Sequence, residues 1–589
     1  MRIAMDVNDK QGSLKRLIDI GLALSSEKNT TSLIERILQE AKSLSHADGG
    51  TFYLKKEESL EFTIIQNDTF NISHNKKTGN KISLPAVPLY INNQPNLKQV
   101  ASKAALTGLT INVKDAYNSD EFDFSGTKKF DQGTGYHSKS FLTVPLKNNQ
   151  DECIGVIQLI NAKDIETGKV IPFSIHTQPL IEALASLAAV ALENNQLIKS
   201  QKHLLESFIT LIASAIDEKS PYTGGHCQRV PELTNMITAK LCEQKEGMFA
   251  DFNLNEEEWY ELHIAGWLHD CGKITTPEYV VDKSTKLETI TNRIHEIRTR
   301  VEVLKRDAEI TYLKAIIDNP AKKKELHDHL EQQLQELDED YAFIAESNIG
   351  GEFMATDRIE RIKKISERHW YRTLDDKLGL SIDELHRKSK LSAEALPVKV
   401  NLLEDRDDHL VNWDVLPKAA NPNNKYGFKV TVPKYKYNLG EIYNLCIKKG
   451  TLCEEERFKI NDHMAQTIVM LEELPFPKHL ERVPEYAGGH HETLIGTGYP
   501  KKLSAKDLSI PARAMAIADI FEALTASDRP YKKAKTLDES MQIMKFFVQD
   551  QHIDGDIFEV FLRSGAYLDY ANKFLGPGNY AAIDIEKYL

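Results

Sequence analysis

Thiols are scarce in this chain. Six cysteines occur among 589 residues, at Cys153, Cys227, Cys242, Cys271, Cys446 and Cys453, and none stands at a paired spacing. That excludes a disulfide framework and a thiolate zinc site, and it fits a reducing compartment. Long apolar runs are also missing. The longest, around Ala183 to Leu192, is far too short to cross a bilayer, so no membrane span is expected. The first residues, Met1 to Asp9, hold no apolar stretch of signal-peptide type, and the expected location is cytoplasmic. Positive charge is in deficit: 74 Lys and Arg face 87 Asp and Glu, a formal −13. Nucleic-acid polymers need a clustered basic face and are disfavoured as partners. A small anion remains compatible, because a few cations in one cleft can hold a phosphate on an acidic protein.

The remaining composition, 41% hydrophobic and 27% charged, is that of an ordinary globular protein, and the length predicts three or four folding units. Between residues 12 and 176, helical patterns flank four strand-like runs. These are Thr51 to Leu54, Leu60 to Ile65, Ser140 to Leu146 and Cys153 to Asn161, all β-branched, aromatic and partly alternating. The order predicts an α+β unit, an antiparallel sheet with helices packed on one side. The entry strand at Ala47 to Leu54, the Ser140 to Leu146 run and the Gly155 to Lys163 run resemble a GAF domain. The resemblance implies a sensor that binds a cyclic nucleotide, a tetrapyrrole or another small molecule, or that only dimerises.

From Thr177 to Ile216 apolar residues recur three or four apart, among them Leu180, Leu187, Leu197, Leu204 and Leu211. One long connecting helix over 177–213 is the natural reading, with a break near Asn194 and Asn195 as the alternative. A stripe of this length suggests packing on a partner helix, hence a parallel homodimer. Beyond it an all-α domain is expected in two parts, 214–296 and 448–589, divided by a mostly helical insertion over 297–447. Within the insertion, Leu326, Leu330, Leu334, Leu337, Tyr341 and Ile344 make one helical stripe, and Asn319-Pro320 marks the turn before it. The one strand-like patch after Ile216 is a short one at Phe428 to Val432.

The informative feature is a set of separated His and Asp clusters. His269-Asp270 closes an apolar helical stretch and is followed by Cys271-Gly272-Lys273. His226 lies upstream. His463, His490-His491-Glu492 and Asp519 lie downstream. Taken singly, each has an ordinary explanation as a surface, capping or core residue. Together they make five imidazoles and two carboxylates with no thiolate, a set suited to two borderline-hard ions such as Fe(II) or Mn(II) rather than to a structural zinc.

At His269-Asp270, at Gly498-Tyr499-Pro500, and along Ala518 to Lys533, the chain resembles an HD-GYP domain, the cyclic di-GMP phosphodiesterase branch of the HD superfamily. The resemblance implies two divalent metals. His226, His269, Asp270 and Asp519 would hold one, with Asp270 bridging, and His463, His490 and His491 would complete the second. Some members hold a third metal through a Glu where this chain has Tyr222, so two are expected. His295 competes with His463 for the third cluster, but the Gly450 to Arg457 approach to His463 matches the family better. Asp270 and Lys273 are the expected catalytic residues. Lys273, Arg529 and Lys532 would meet the substrate phosphates, and Gly498, Tyr499 and Pro500 would form a loop against the substrate, Tyr499 stacking on a base or only closing a turn. Ile495 departs from the family's usual Asp at a position that bears on loop shape and substrate grip rather than on metal binding. The implied activity is hydrolysis of a cyclic dinucleotide, with another nucleotide, a non-catalytic receptor, or a scaffold role for the insertion as alternatives.

Overall fold

The computed structural model describes residues 15–27, 29–75, 84–219, 225–351, 353–389, 391, 395–526, 534–576, 580 and 583–589. The chain divides into two compact units, 1–205 and 206–589, rather than the three or four its length suggests. The insertion is tied too closely to the second unit to stand apart from it.

In the first unit, six strands carry the main path of an eight-stranded antiparallel sheet. They are β1 (Ala47–Lys56), β2 (Ser59–Asn67), β3 (Ile72–Asn75), β4 (Ile111–Val113), β5 (Phe141–Lys147) and β6 (Cys153–Lys163), in the order β3-β2-β1-β6-β5-β4. Helix α1 (Thr30–Ser45) is started by Asn29, whose side chain accepts from the amides of Thr31 and Ser32. Its Leu33, Ile34, Ile37 and Leu38 pack with Phe52, Ile157 and Leu159 on one face of the sheet. The expectation of helices on one side only is corrected here. Helix α2 (Val100–Thr107) covers the opposite face, where its Ala101 packs with Tyr53, Leu60 and Val156. β1 is accordingly buried without a break from Ala47 to Tyr53, the pattern of a strand covered on both faces.

Helix α3 (Gln178–Lys219) runs without interruption past Asn194 and Asn195. Its first turns, with Ile181, Leu184, Ala185 and Ala188, join the core beneath α1. The second unit is built on α4 (His226–Cys242), α5 (Glu256–Leu268), α6 (Ile294–Asp318), α7 (Lys323–Asn348), α8 (Thr356–Ser366), α9 (Ile382–Lys388), α10 (Glu441–Leu445), α11 (Glu454–Glu472), α12 (Val483–Gly488) and α13 (Ile510–Thr525). Helices α6 and α7 meet across the turn expected at Asn319 and Pro320, and α7 carries the apolar stripe read from the sequence. Their Ile297, Val301, Leu337 and Ile344 share a core with Ile362 and Ile365 of α8 and with Leu445 of α10.

The insertion departs from a mostly helical layout in its second half. β7 (His369–Arg372) and β8 (Val398–Asn401) pair antiparallel there, four residues each. Phe428 to Val432, by contrast, is no strand. Its backbone bonds go to a loop, Lys429 N–H donating to the Pro500 carbonyl at 2.8 Å. Phe428, Val430 and Val432 instead pack on Ala465, Ile468 and Val469 of α11. Buried Lys283 pairs with Glu456 at 2.7 Å, and Lys286 donates to the Leu445 carbonyl at 2.9 Å. These contacts pin both ends of the insertion to the helices that flank it. Among the described residues no helix is long and apolar enough to cross a membrane, and the six cysteines are free.

Phe52 is fully buried against α1. Phe52→Ala should destabilise the first unit by about 3–5 kcal/mol, lowering its calorimetric transition by about 10 °C.

Candidate metal centre

Helix α5 is opened by a capping box between Asn255 and Glu258 and ends at Leu268, so its last turn delivers two polar side chains into an apolar interior. His269 caps that end, and Asp270 begins the 3-10 turn Cys271–Thr275. The turn lies flat against α11 because Gly272 has no side chain. A Cβ there would come within 1.9 Å of the His463 carbonyl and 2.5 Å of the Thr467 nitrogen. The Gly272 N–H donates to Thr467 Oγ1 at 2.9 Å. That close approach sets His463 beside Asp270.

Asp270 is shared. Its Oδ2 lies 3.2 Å from Nε2 of both His226 and His269, and its Oδ1 lies 3.2 Å from Nε2 of His463. Asp519, on α13, brings Oδ1 to 3.2 Å from His226 Nε2 and 4.0 Å from His269 Nε2. His490 and His491 follow α12, with ring centroids 4.4 Å apart, and the His491 ring lies 5.2 Å from that of His463. Two groups result, His226–His269–Asp270–Asp519 and Asp270–His463–His490–His491, each with its ligand atoms within 4.8 Å of one another. The structure thus brings all seven expected ligand residues together. His295 is not among them. It is exposed on α6 with Nδ1 2.9 Å from Arg298 Nη1.

The imidazoles are aimed by their far nitrogens. Nδ1 of His269, His463 and His490 lies 2.7, 2.5 and 2.7 Å from the carbonyl oxygens of Gly266, Ile460 and Ala487. Each Nδ1 is thereby placed to donate to its carbonyl, which leaves Nε2 facing inward as the nitrogen that can ligate. Asp270 Oδ1, His463 Nε2 and His490 Nε2 are buried and have no hydrogen-bond partner. Inward lone pairs of this kind on neighbouring groups are what divalent cations require, so the residues fit a metal pair.

Electrostatics agree with that geometry. Burial alone would raise the Asp270 pKa, but Lys273 and His269 beside it hold the carboxyl well below its usual range. Burial pushes His490 down to about 4, helped by His269, and drives His491 down through burial and the neighbouring His490. Both are neutral at pH 7, the form that ligates. His226 is raised instead: against its burial, it faces Asp270, Asp519 and Glu522.

Glu522 was missed in the sequence reading. It is buried one turn beyond Asp519 on α13, with Oε2 2.5 Å from His226 Nδ1 and Oε1 2.7 Å from Arg229 Nε. The signal was there, a lone Glu three residues after Asp519 in the otherwise apolar Ala514 to Leu524 stretch. Glu492 was named with the His490-His491 cluster but given no role, and Thr493 was passed over. Glu492 accepts from the amides of Lys501 at 2.7 Å and Leu503 at 2.9 Å, and Thr493 Oγ1 accepts from those of Thr497 and Gly498. These bonds shape the Gly496 to Pro500 loop while Ile495 stays exposed beside it. A Cβ on Gly498 would fall 2.5 Å from Glu492 Cα. Tyr499 stacks on His491, ring centroids 5.0 Å apart. Lys273 Nζ reaches Asp270 Oδ2 at 2.5 Å, and the side chain is 29% exposed at the edge of the centre. Tyr222, Arg529 and Lys532 lie outside the described residues.

With that geometry in hand, the likeness to known proteins is clear. Residues 29–192 match the GAF domain family and residues 397–557 the HD domain family, so the chain carries a GAF domain followed by an HD domain. The HD match begins after most of the insertion and leaves out His226, His269 and Asp270, which the fold returns to the same centre. The 3'3'-cGAMP-specific phosphodiesterase 1 of Vibrio cholerae is 38% identical over 117 residues, 20% of this chain and 26% of that protein. A cyclic di-GMP phosphodiesterase of Pseudomonas aeruginosa is 39% identical over 75 residues, 13% of this chain and 17% of that protein. The chain thus spans about a quarter or less of these relatives' own lengths. Among solved structures, a GAF domain/HD domain protein from Geobacter sulfurreducens covers 30% of this chain and 98% of its own at 16% identity, with a TM-score of 0.22.

Removing the carboxylate behind His226 should loosen that ring. Glu522→Ala is expected to weaken metal affinity about 10–100-fold, read by competition with a chelating dye.

Proposed function

We propose that this chain is a metal-dependent phosphodiesterase of the HD-GYP branch that opens a cyclic dinucleotide, with cyclic di-GMP as substrate and linear pGpG or GMP as product. The observation that carries the reading is Asp270, one carboxylate facing two histidine groups at 3.2 Å. In this reading His226, His269, Asp270 and Asp519 hold one divalent ion, and Asp270, His463, His490 and His491 the other. The imidazole-rich, thiolate-free set favours Fe(II) or Mn(II). Ions held there supply Lewis-acid polarisation of a phosphodiester and a lowered pKa for water.

The chain's own residues do the rest. Asp270 and Asp519 keep the centre anionic enough to retain two dications. Burial works against the charge of Lys273, yet Asp270 and Asp519 raise its pKa and keep it cationic, at the rim where a substrate phosphate oxygen would arrive. Arg529 and Lys532 are assigned the same task. The loop through Gly498, Tyr499 and Pro500 is braced by Glu492 and Thr493, so the base-facing wall is preorganised without the Asp that Ile495 replaces. The GAF domain is assigned a regulatory role. Exposed Val190, Leu197, Leu204 and Leu211 stand at heptad spacing along α3 and support parallel pairing with a second copy.

A second substrate has a specific observation in its favour. Two relatives, 38% and 41% identical over their matched stretches, are named as specific for 3'3'-cGAMP. Anaerobically purified full-length protein, offered both dinucleotides and followed by product chromatography, separates the two. Asp270→Ala should lower turnover of the preferred one by about 10³-fold or more, the loss of several kcal/mol of metal-borne stabilisation. Unchanged hydrolysis in that variant, or tight binding without hydrolysis in the metal-replete parent, would overturn the reading.

A further inference from the structure

The insertion folds around a cavity of its own, about 250 Å³ in volume and separate from the metal centre. One wall is a face of α6, with Arg293 at its start and Glu296 and Arg300 further along. The floor is the β7–β8 ribbon, where Trp370 lies opposite Val400. Lys388 of α9, the 404–409 loop and Glu441 of α10 close the remaining side.

Cations gathered in so small a space need counter-charge, and most have it. Lys388 meets Asp376, Arg300 Nη1 meets Glu441 at 2.9 Å, and Arg406 grips Asp408 through two nitrogens at 2.9 and 2.7 Å. Two donors are left over. The Arg293 guanidinium gives Nε and Nη1 to the carbonyl oxygens of Leu287 and Leu439, at 3.3 and 2.6 Å, and among the described residues enters no ion pair. Burial holds its pKa below the usual Arg value despite the pull of Glu441 and Glu296, the state of a cation short of charge. The Trp370 indole N–H is shielded from solvent and has no acceptor. With Asp408 counted as the partner of Arg406, five cationic side chains face five carboxylates, and among the described residues Arg293 is the one of these cations that enters no ion pair.

We propose that this cavity binds a compact oxyanion, a carboxylate or a phosphate, received by the uncommitted Nη2 of Arg293 and by the Trp370 N–H. A guanidinium without an ion-pair partner suits such an oxyanion. The volume lies below the roughly 300–1,000 Å³ of pockets for drug-sized ligands, so a compact anion fits and a whole dinucleotide does not. Arg293 also holds the Leu439 carbonyl, just before α10 and the segment that leads into α11, so the anion would sit behind the chain that carries His463.

Calorimetric titration of the full chain tests this, with sodium phosphate and sodium acetate in turn at ionic strength matched with chloride. The Asp270→Ala background keeps phosphate from competing for the metal centre, so failure here is distinct from failure of the phosphodiesterase reading. Saturable binding of at least one anion is expected, weakened tenfold or more by Arg293→Gln and several-fold by Trp370→Phe, which removes a donor without changing charge. The anion that binds more tightly distinguishes phosphate from carboxylate. Saturation by neither, or equal affinity in both variants and the parent, overturns the proposal. Should Arg293→Gln fail to fold, Trp370→Phe decides it alone.

Discussion

A single carboxylate, that of Asp270, organises the second unit. Its two oxygens face opposite ways, towards His226 and His269 on one side and His463 on the other. A buried carboxylate so placed is costly unless positive charge surrounds it. Lys273 and the neighbouring imidazoles meet part of that need, and the inward lone pairs of His463 and His490 mark where divalent ions would meet the remainder. Every other feature of the centre serves this arrangement. Three carbonyls and Glu522 aim the rings, and Gly272 lets the turn that bears Asp270 lie directly on the backbone of α11.

The close contact at Gly272 also explains how the domain tolerates its insertion. Lys273 and His463 are far apart in sequence, yet the geometry between them is fixed locally, by a glycine against a carbonyl and by the Thr467 hydroxyl. The insertion need only leave and return at suitable points. The Lys283–Glu456 pair and the Lys286 bond to Leu445 fasten those points. Having its own core, the insertion is free to carry a second site without disturbing the first.

Much of this was legible in the sequence, for particular reasons. The strands of the first unit showed because β-branched residues alternate along them, and α7 showed because its apolar stripe runs from Leu326 to Ile344 after the turn at Asn319-Pro320. The ligand residues showed because motifs fix their order, even where the insertion separates them. The choice of His463 over His295 rested on the residues before it, and the exposure of His295 on α6 agrees with that choice. Other features were hidden. Helix α2 is eight residues rich in alanine, too short for a periodic signal, so the second covered face of the sheet went unseen. β7 and β8 have four residues each, too few for alternation to stand out. The 428–432 patch looked like a strand because apolar residues alternate along it, but its partner is a helix face. Glu522 sat in plain view beside Asp519; its role depends on His226, which only the folded chain brings near.

The central claim is that Asp270 joins two ions. Metal analysis of anaerobically purified full-length protein, by mass spectrometry against protein concentration, tests it directly. Two divalent ions per chain are expected, with Asp270→Ala losing both while remaining folded by circular dichroism. Protein that binds no metal when Fe(II) or Mn(II) is supplied, or an Asp270→Ala variant that keeps two ions per chain, would contradict the account.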